Sequence, residues 1–302
     1  MKDCTIVGGG PAGLNAALVL GRARRNVILV DSNNARNKVT FASHGFLTRD
    51  GVKPADLREL AHQEFTRYPT IETMEDKVVE IAKMDEGFTI KTQRGQQWKT
   101  RKVILATGVY EKFPNIPNLS DFYGNSIFNC PYCDGWELRD KPLALFGIVD
   151  YTLHMAKVLL NWSKDIVIFT NGQKLTKSQV KQIEKTELRV ETSPVHLLIG
   201  KKGMLEKVEL VNGTVIERAG GFATPELFQT TKLGTLLGIK LNDTGGHHSD
   251  EVGHTKITGF FVAGEASTVY PSQLIIAAAS GVKTAMAVNV ELTHEGILGS
   301  ED

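Results

Sequence analysis

Cys4-Thr-Ile-Val7, Gly8-Gly-Gly-Pro-Ala-Gly13, Leu14-Asn-Ala-Ala-Leu-Val-Leu20 and Asn26-Val-Ile-Leu-Val30-Asp31 form the stretch that decides the fold. A short apolar strand runs into a glycine turn and a helix pattern follows. A second apolar strand then ends in an acid about 20 residues beyond the first glycine. Each part has a physical task. Gly8 permits the tight turn, Gly10 lets the backbone approach a pyrophosphate, and Gly13 lets the helix pack on the strand. Pro11 and Ala12 open the helix, whose N-terminus offers free N–H groups and the positive dipole end to phosphates. Asp31 stands where a ribose hydroxyl would donate. The stretch reads as a dinucleotide-binding βαβ unit.

The same grammar recurs outward from it. Lys102-Val-Ile-Leu-Ala-Thr-Gly108 is a buried strand ending in Thr107 and Gly108, and Phe260-Phe-Val-Ala-Gly264-Glu265 repeats the strand–glycine–acid form before a helical stretch from about Ser272 to Leu292. Between them, Lys141-Pro-Leu-Ala-Leu-Phe-Gly147 leads into a helix pattern through Leu160 and a strand over Asp165–Phe169. A strand–glycine–helix–strand unit therefore appears twice, as in a duplicated module. The Pro-containing stretch Phe113–Pro117 and Gly220–Pro225, read as a turn, are candidate boundaries.

Composition narrows the function. A chain of 302 residues has room for two domains, and 41% apolar residues can fill their cores. Lys and Arg total 35 against 34 Asp and Glu, a balance in which nothing points to a nucleic-acid footprint or a membrane-surface role. The cluster Arg22-Ala-Arg-Arg25 reads as a solvated helix end. Glycine is in excess, 29 residues against about 21 at average usage. Three cysteines are too few for a secreted disulfide framework. No leader precedes the first strand pattern and no uncharged apolar run of about 18 residues occurs, so a soluble, cytoplasmic protein is expected.

Cys130-Pro-Tyr-Cys133 is the reactive constellation. Its spacing permits a reversible disulfide, and a helix N-terminus lowers the pKa of one thiol. Asp134 follows directly. It reads as a proton shuttle for exchange or as a helix N-cap, roles that are compatible. A zinc site would want a second Cys/His pair at matching spacing, whereas Cys4 stands alone and His247-His248 lie far off in sequence, so no metal is expected. Cys4 reads as a small buried hydrophobe. His44 reads as a structural histidine, with a place beside a cofactor ring as the alternative. His247 and His248, in the polar loop Asn242–Glu251, read as solvated, and Phe113 and Trp136 as packing residues.

Taken in order, Gly8–Gly13, Ala106-Thr-Gly108, Cys130-Pro-Tyr-Cys-Asp-Gly135 and Val262-Ala-Gly-Glu265 resemble the low-molecular-weight thioredoxin reductases over nearly the whole chain. With His44-Gly-Phe-Leu47 and Asn161–Asp165, the nearest likeness is to a subgroup of bacterial thioredoxin-reductase-like proteins and fungal gliotoxin-type dithiol oxidases. The resemblance implies an α/β protein of two doubly wound, Rossmann-like domains, the second inserted in the first. An FAD domain would span 1–114 and 225–302, and a pyridine-nucleotide-type domain 115–224, with a homodimer as the usual assembly.

Carried over by motif, Gly8, Gly10, Pro11, Ala12, Gly13, Asp31, Asn37, Thr107, Gly108, Gly264, Glu265 and Gln273 would line FAD. Cys133 would face the flavin, Cys130 would be the interchange thiol and Asp134 the acid/base. The partner would be a thioredoxin-like protein or a small dithiol. Two places depart from the family pattern. Glu265 stands where the family has Asp. The second nucleotide motif reads Gly147-Ile-Val149-Asp-Tyr-Thr152, with Val149 in place of a glycine, and Thr170-Asn-Gly-Gln173 lacks the arginine pair for a 2′-phosphate. An FAD-dependent thiol–disulfide oxidoreductase is expected, with NADPH a poor donor. A dithiol oxidase using oxygen, or a flavin-binding redox sensor of low turnover, are the alternatives.

Overall fold

In the computed structural model, residues 1–147, 149–186 and 188–298 are described. Strand Lys2–Val7 lies near the middle of a seven-stranded sheet. Its parallel neighbours are Val27–Asp31, with Cys4 opposite Val27, and Gln97–Leu105, with Thr5 opposite Val103. Strand Ile71–Glu75 extends the parallel set beyond Val27–Asp31. The long strand Gln97–Leu105 divides its far edge. Its first half pairs antiparallel with Phe88–Thr92, which continues to Val78–Lys83, and its second half pairs parallel with Phe260–Val262. Strands from both ends of the chain thus close one sheet.

Four central strands carry continuous apolar runs rather than alternation because both faces of the sheet are covered. Cys4, Ile6, Leu29, Ile104 and Phe261 face helices Pro11–Arg22 and Leu274–Leu298, while Val7, Ile28, Val103 and Phe260 form a core on the other side. Burying each such large side chain contributes about 1.5–3 kcal/mol. The terminal helix is long and apolar enough to cross a membrane by length and composition. Its inner stripe, Ala277, Ala285, Val288 and Leu292, is nevertheless packed in the core. A Cβ at Gly281 would lie 2.0 Å from the Ala12 carbonyl oxygen, so the two helices touch backbone to backbone.

The middle of the chain builds a second, five-stranded sheet. Leu143–Phe146 is flanked by Ile166–Phe169 and Gly220–Ala223, with Arg189–Glu191 and Ile127–Phe128 at the edges, all parallel. Helix Val149–Leu159 follows the Leu143–Phe146 strand, and a three-stranded meander over Val195–Glu217 packs Val195, Leu198 and Val208 against Phe146 and Phe169. A two-stranded antiparallel ribbon, Val109–Lys112 with Glu226–Gln229, links the two sheets. The architecture is the expected pair of Rossmann-like α/β units.

Four local expectations are corrected. Gly220–Ala223 is a buried strand, not part of a turn. A Cβ at Gly221 would meet the Ala144 carbonyl oxygen at 2.2 Å, so the glycine marks close strand approach. His247 is fully buried: its backbone N–H and ring Nδ1 both contact the Ala266 carbonyl, and burial holds its pKa below the usual histidine range. His248 is exposed as expected. Trp136 is 64% exposed, with the Arg139 guanidinium carbon 4.2 Å from its ring centroid, and so is not a core residue. Arg25 is not simply solvated, since its guanidinium donates to Asn289 and Thr293 of the terminal helix. Cys4 is a buried free thiol and Phe113 packs on Tyr123, both as read.

Candidate active site

Cys130 is the N-cap of a single helical turn, Pro131–Asp134. Its carbonyl accepts the N–H groups of Cys133 and Asp134, each at 3.1 Å, and Pro131 has no N–H to leave unpaired at the first helical position. This turn brings the two cysteine Cα atoms within 5.3 Å, and the sulfurs form a disulfide. Gln273, just before the terminal helix, reaches over the bridge with its Nε2 3.4 Å from each sulfur. An amide N–H donates more strongly to a thiolate than to a neutral sulfur, so Gln273 favours opening of the bridge at either end.

Asp134 closes the same turn. Burial pushes its carboxyl up to about 7; His44 opposes the rise and Glu137 reinforces it. It is not the N-cap, because Cys130 holds that place without a side-chain cap bond. His44 sits in a loop closed by a Ser43–Val52 bridge, with Nδ1 3.5 Å from Asp50 and Nε2 3.7 Å from Glu137. The loop at His44 therefore borders the disulfide turn. Around this turn Tyr132, Trp136 and the loop residue Leu47 are all strongly exposed.

The glycine turn at the first strand divides its labour. A Cβ at Gly8 would lie 2.4 Å from the Ala106 carbonyl oxygen, where φ is +112°, and one at Gly13 would lie 1.8 Å from the Gly8 carbonyl oxygen. Both glycines serve the protein's own packing. A Cβ at Gly10 meets nothing within 4 Å, so the helix N-terminus presents open space. The Asp31 carboxylate lies against Gly9, and the buried Thr107 hydroxyl has no partner. Gly108 and Gly264 adopt φ of +66° and +64°. Pro11 and Ala12 open the helix, and Asn37 lies in the turn Arg36–Val39. An open cradle, an acid and an orphaned hydroxyl along one line of strand ends fit a flavin dinucleotide.

A family model described as pyridine nucleotide-disulphide oxidoreductase matches residues 2–281. The chain belongs to that family. A probable thioredoxin reductase of Arthroderma benhamiae is 30% identical over 99% of this chain and 83% of that protein. Thioredoxin reductase aclD of Aspergillus oryzae is 36% identical over 76% of each. The crystal structure of putative thioredoxin reductase TrxB from Bacillus anthracis superposes with a TM-score of 0.94 at 45% identity, covering 98% of this chain and 99% of that one. This is a disulfide oxidoreductase of the thioredoxin reductase type, and FAD is the expected cofactor.

In this oxidoreductase the described groups around the second strand–glycine turn contact one another. A Cβ at Gly147 would meet Thr224 Oγ1 at 1.7 Å, so the glycine that survives serves packing. Gln173 Nε2 donates to the Gly147 carbonyl at 3.1 Å. Asp150, in the first turn of the following helix, accepts from Gln179 Nε2 at 2.7 Å. Ile148 and the side chain of Val149 lie outside the described residues.

The sequence reading missed Arg36. Its guanidinium lies 2.7 Å from Glu111 and 2.5 Å from Glu265, and donates to Ser272 Oγ at 2.8 Å. Glu265, expected beside the cofactor, is thus bound to an arginine. The only local hint was an arginine next to Asn37.

Proposed function

We propose that this oxidoreductase moves electron pairs between FAD and a partner dithiol or disulfide through Cys130 and Cys133, with Cys133 toward the flavin and Cys130 toward the partner. The observation that carries this reading is the Cys130–Cys133 bridge under the Gln273 amide, beside a carboxyl whose pKa is about 7. FAD, held along Gly10, Asp31, Thr107, Gly108 and Gly264, supplies a two-electron acceptor or donor. The protein supplies the exchange. A partner thiolate attacks Cys130 Sγ, the S–S bond breaks, and Cys133 leaves as a thiolate beside Gln273. The partner's second thiol, as a thiolate, displaces Cys130 from the mixed disulfide, and Asp134 protonates the departing sulfur. The partner leaves as a disulfide and the bridge remains as a dithiol. The reverse sequence reduces a partner disulfide. Exposed Tyr132, Trp136 and Leu47 offer this partner an apolar rim.

An FAD domain of 1–114 and 225–302 and an inserted domain of 115–224 suit the two sheets. A cytoplasmic homodimer completes the proposal, since Ile275, Met286 and Val290 leave an exposed apolar stripe on the terminal helix that a second copy would cover.

Replacing each cysteine by serine separates their roles. Cys130→Ser should leave a Cys133 thiolate against oxidised flavin, seen as a long-wavelength absorbance band, and Cys133→Ser should not. The opposite pattern exchanges the two assignments.

A second reading, dithiol oxidation with oxygen as terminal acceptor, is favoured by the altered nucleotide motif. Val149 stands where the family has the glycine of close approach, and Thr170–Gln173 supplies no cation. A missing charge-assisted contact costs about 1.5–3 kcal/mol, or roughly 10- to 150-fold in affinity. Stopped-flow mixing should show slow flavin reduction by NADPH with little preference over NADH. Bleaching by a dithiol should be rapid and reversed by air. Fast reduction at micromolar NADPH would restore an ordinary NADPH-dependent reductase.

A further inference from the structure

A nearly buried carboxylate joins the two halves of the protein behind the disulfide. Glu111 lies on the ribbon strand Val109–Lys112, with its side chain 7% exposed. Its Oε1 accepts from Arg36 Nη1 at 2.7 Å and from Asn129 Nδ2, and its Oε2 accepts from the Tyr123 hydroxyl at 2.8 Å. Arg36 then turns its other nitrogen to Glu265 and Ser272. Arg36, Glu265 and Ser272 belong to the half that carries the Gly8–Gly13 turn, and Tyr123 and Asn129 to the half that carries the disulfide. Two members adjoin the groups at the bridge: Asn129 precedes Cys130, and Ser272 precedes Gln273. The backbones meet here as well, since a Cβ at Gly124 would lie 2.4 Å from the Val39 carbonyl oxygen.

One carboxylate taking three donors, and one guanidinium shared by two carboxylates, is a geometry that neither an amide nor an ammonium reproduces. Such a network is a weak source of net stability compared with apolar packing, so its use is better sought in the arrangement it imposes. We propose that the Arg36–Glu111 pair is a positioning device that sets the disulfide turn against the Gln273 loop and the flavin-facing side of the site. It acts through Asn129 and Ser272, and neither member of the pair bonds to a sulfur. The proposal rests on the reading that Cys133 exchanges electrons with FAD. Misplacement of the sulfur by about 1 Å would slow transfer by roughly 10²-fold.

The test compares Cys130→Ser with Cys130→Ser/Glu111→Gln at equal FAD content. Glu111→Gln should weaken the thiolate–flavin absorbance band. In the otherwise unaltered chain it should lower the maximal rate of dithiol-driven flavin reduction by about 10²-fold, with the KM for dithiol unchanged. Asn129→Ala, which removes a single donor, should shift both readouts the same way and covers the case in which Glu111→Gln does not fold. A full band and unchanged rate in either folded variant would overturn the positioning role. Absence of the band in Cys130→Ser itself would instead overturn the assignment of Cys133 to the flavin.

Discussion

Gly10→Val should produce folded, colourless protein. Gly10 is the N-cap of the first helix, with φ −77° and ψ −179°, a conformation open to any residue. A Cβ there meets nothing within 4 Å, so the protein itself has room for a branch at this position. The loss of a favourable N-cap residue costs about 1 kcal/mol. What the side chain removes is the space in which a pyrophosphate would approach the backbone N–H groups. Circular dichroism should match the parent's and the unfolding transition should stay close to that of the parent stripped of FAD, while the flavin absorbance disappears and all dithiol turnover with it. Gly13→Ala is the contrasting control. Its Cβ would sit 1.8 Å from the Gly8 carbonyl oxygen, so it should destabilise the βαβ unit whether or not FAD is present. A Gly10→Val protein with a full complement of flavin would sink the binding mode.

Asp134→Asn should keep flavin and disulfide yet slow thiol–disulfide exchange by about 10²–10⁴-fold, the usual contribution of a lost acid/base group. With a carboxyl pushed up to about 7 by burial, both forms are populated at neutral pH. The ionised form takes a proton from an attacking thiol, and the protonated form gives one to a departing sulfur. The parent's exchange rate should therefore change around pH 7, and the asparagine variant should lose that inflection.

Stability gives a second readout. In the unfolded chain this carboxyl ionises near the usual aspartate value of 3.8, so between there and about 7 the native state binds the extra proton. The stabilisation from this raised pKa is complete below the unfolded value and is lost as pH rises through the folded one. Asparagine is neutral throughout and should flatten that part of the stability profile. Exchange within about twofold of the parent rate would leave Asp134 without a chemical role.

The glycine turns, the paired strand–helix units and the Cys-x-x-C pair were legible in the chain because each depends on neighbours a few residues away. A pyrophosphate needs Gly10 beside a helix start, and a reversible bridge needs two cysteines one helical turn apart. Local reading failed where a residue's meaning comes from elsewhere in the chain. Gly220 and Gly221 looked like a turn because the strands they press against are distant in sequence. His247 looked solvated because its polar neighbours hide that the ring lies at Gly234 and Ala266.

The same division runs through the site. Local pattern alone singled out Cys130, Cys133 and Asp134 as candidates, since those residues lie within five positions of one another in the chain. Tertiary structure decided that Gln273 lies on both sulfurs, that Asp134 titrates near neutrality and that Arg36 binds Glu111 and Glu265. Hydrogen bonds, desolvation and ion pairing act through space over a few ångströms, and only folding brings the ends and the middle of this chain that close.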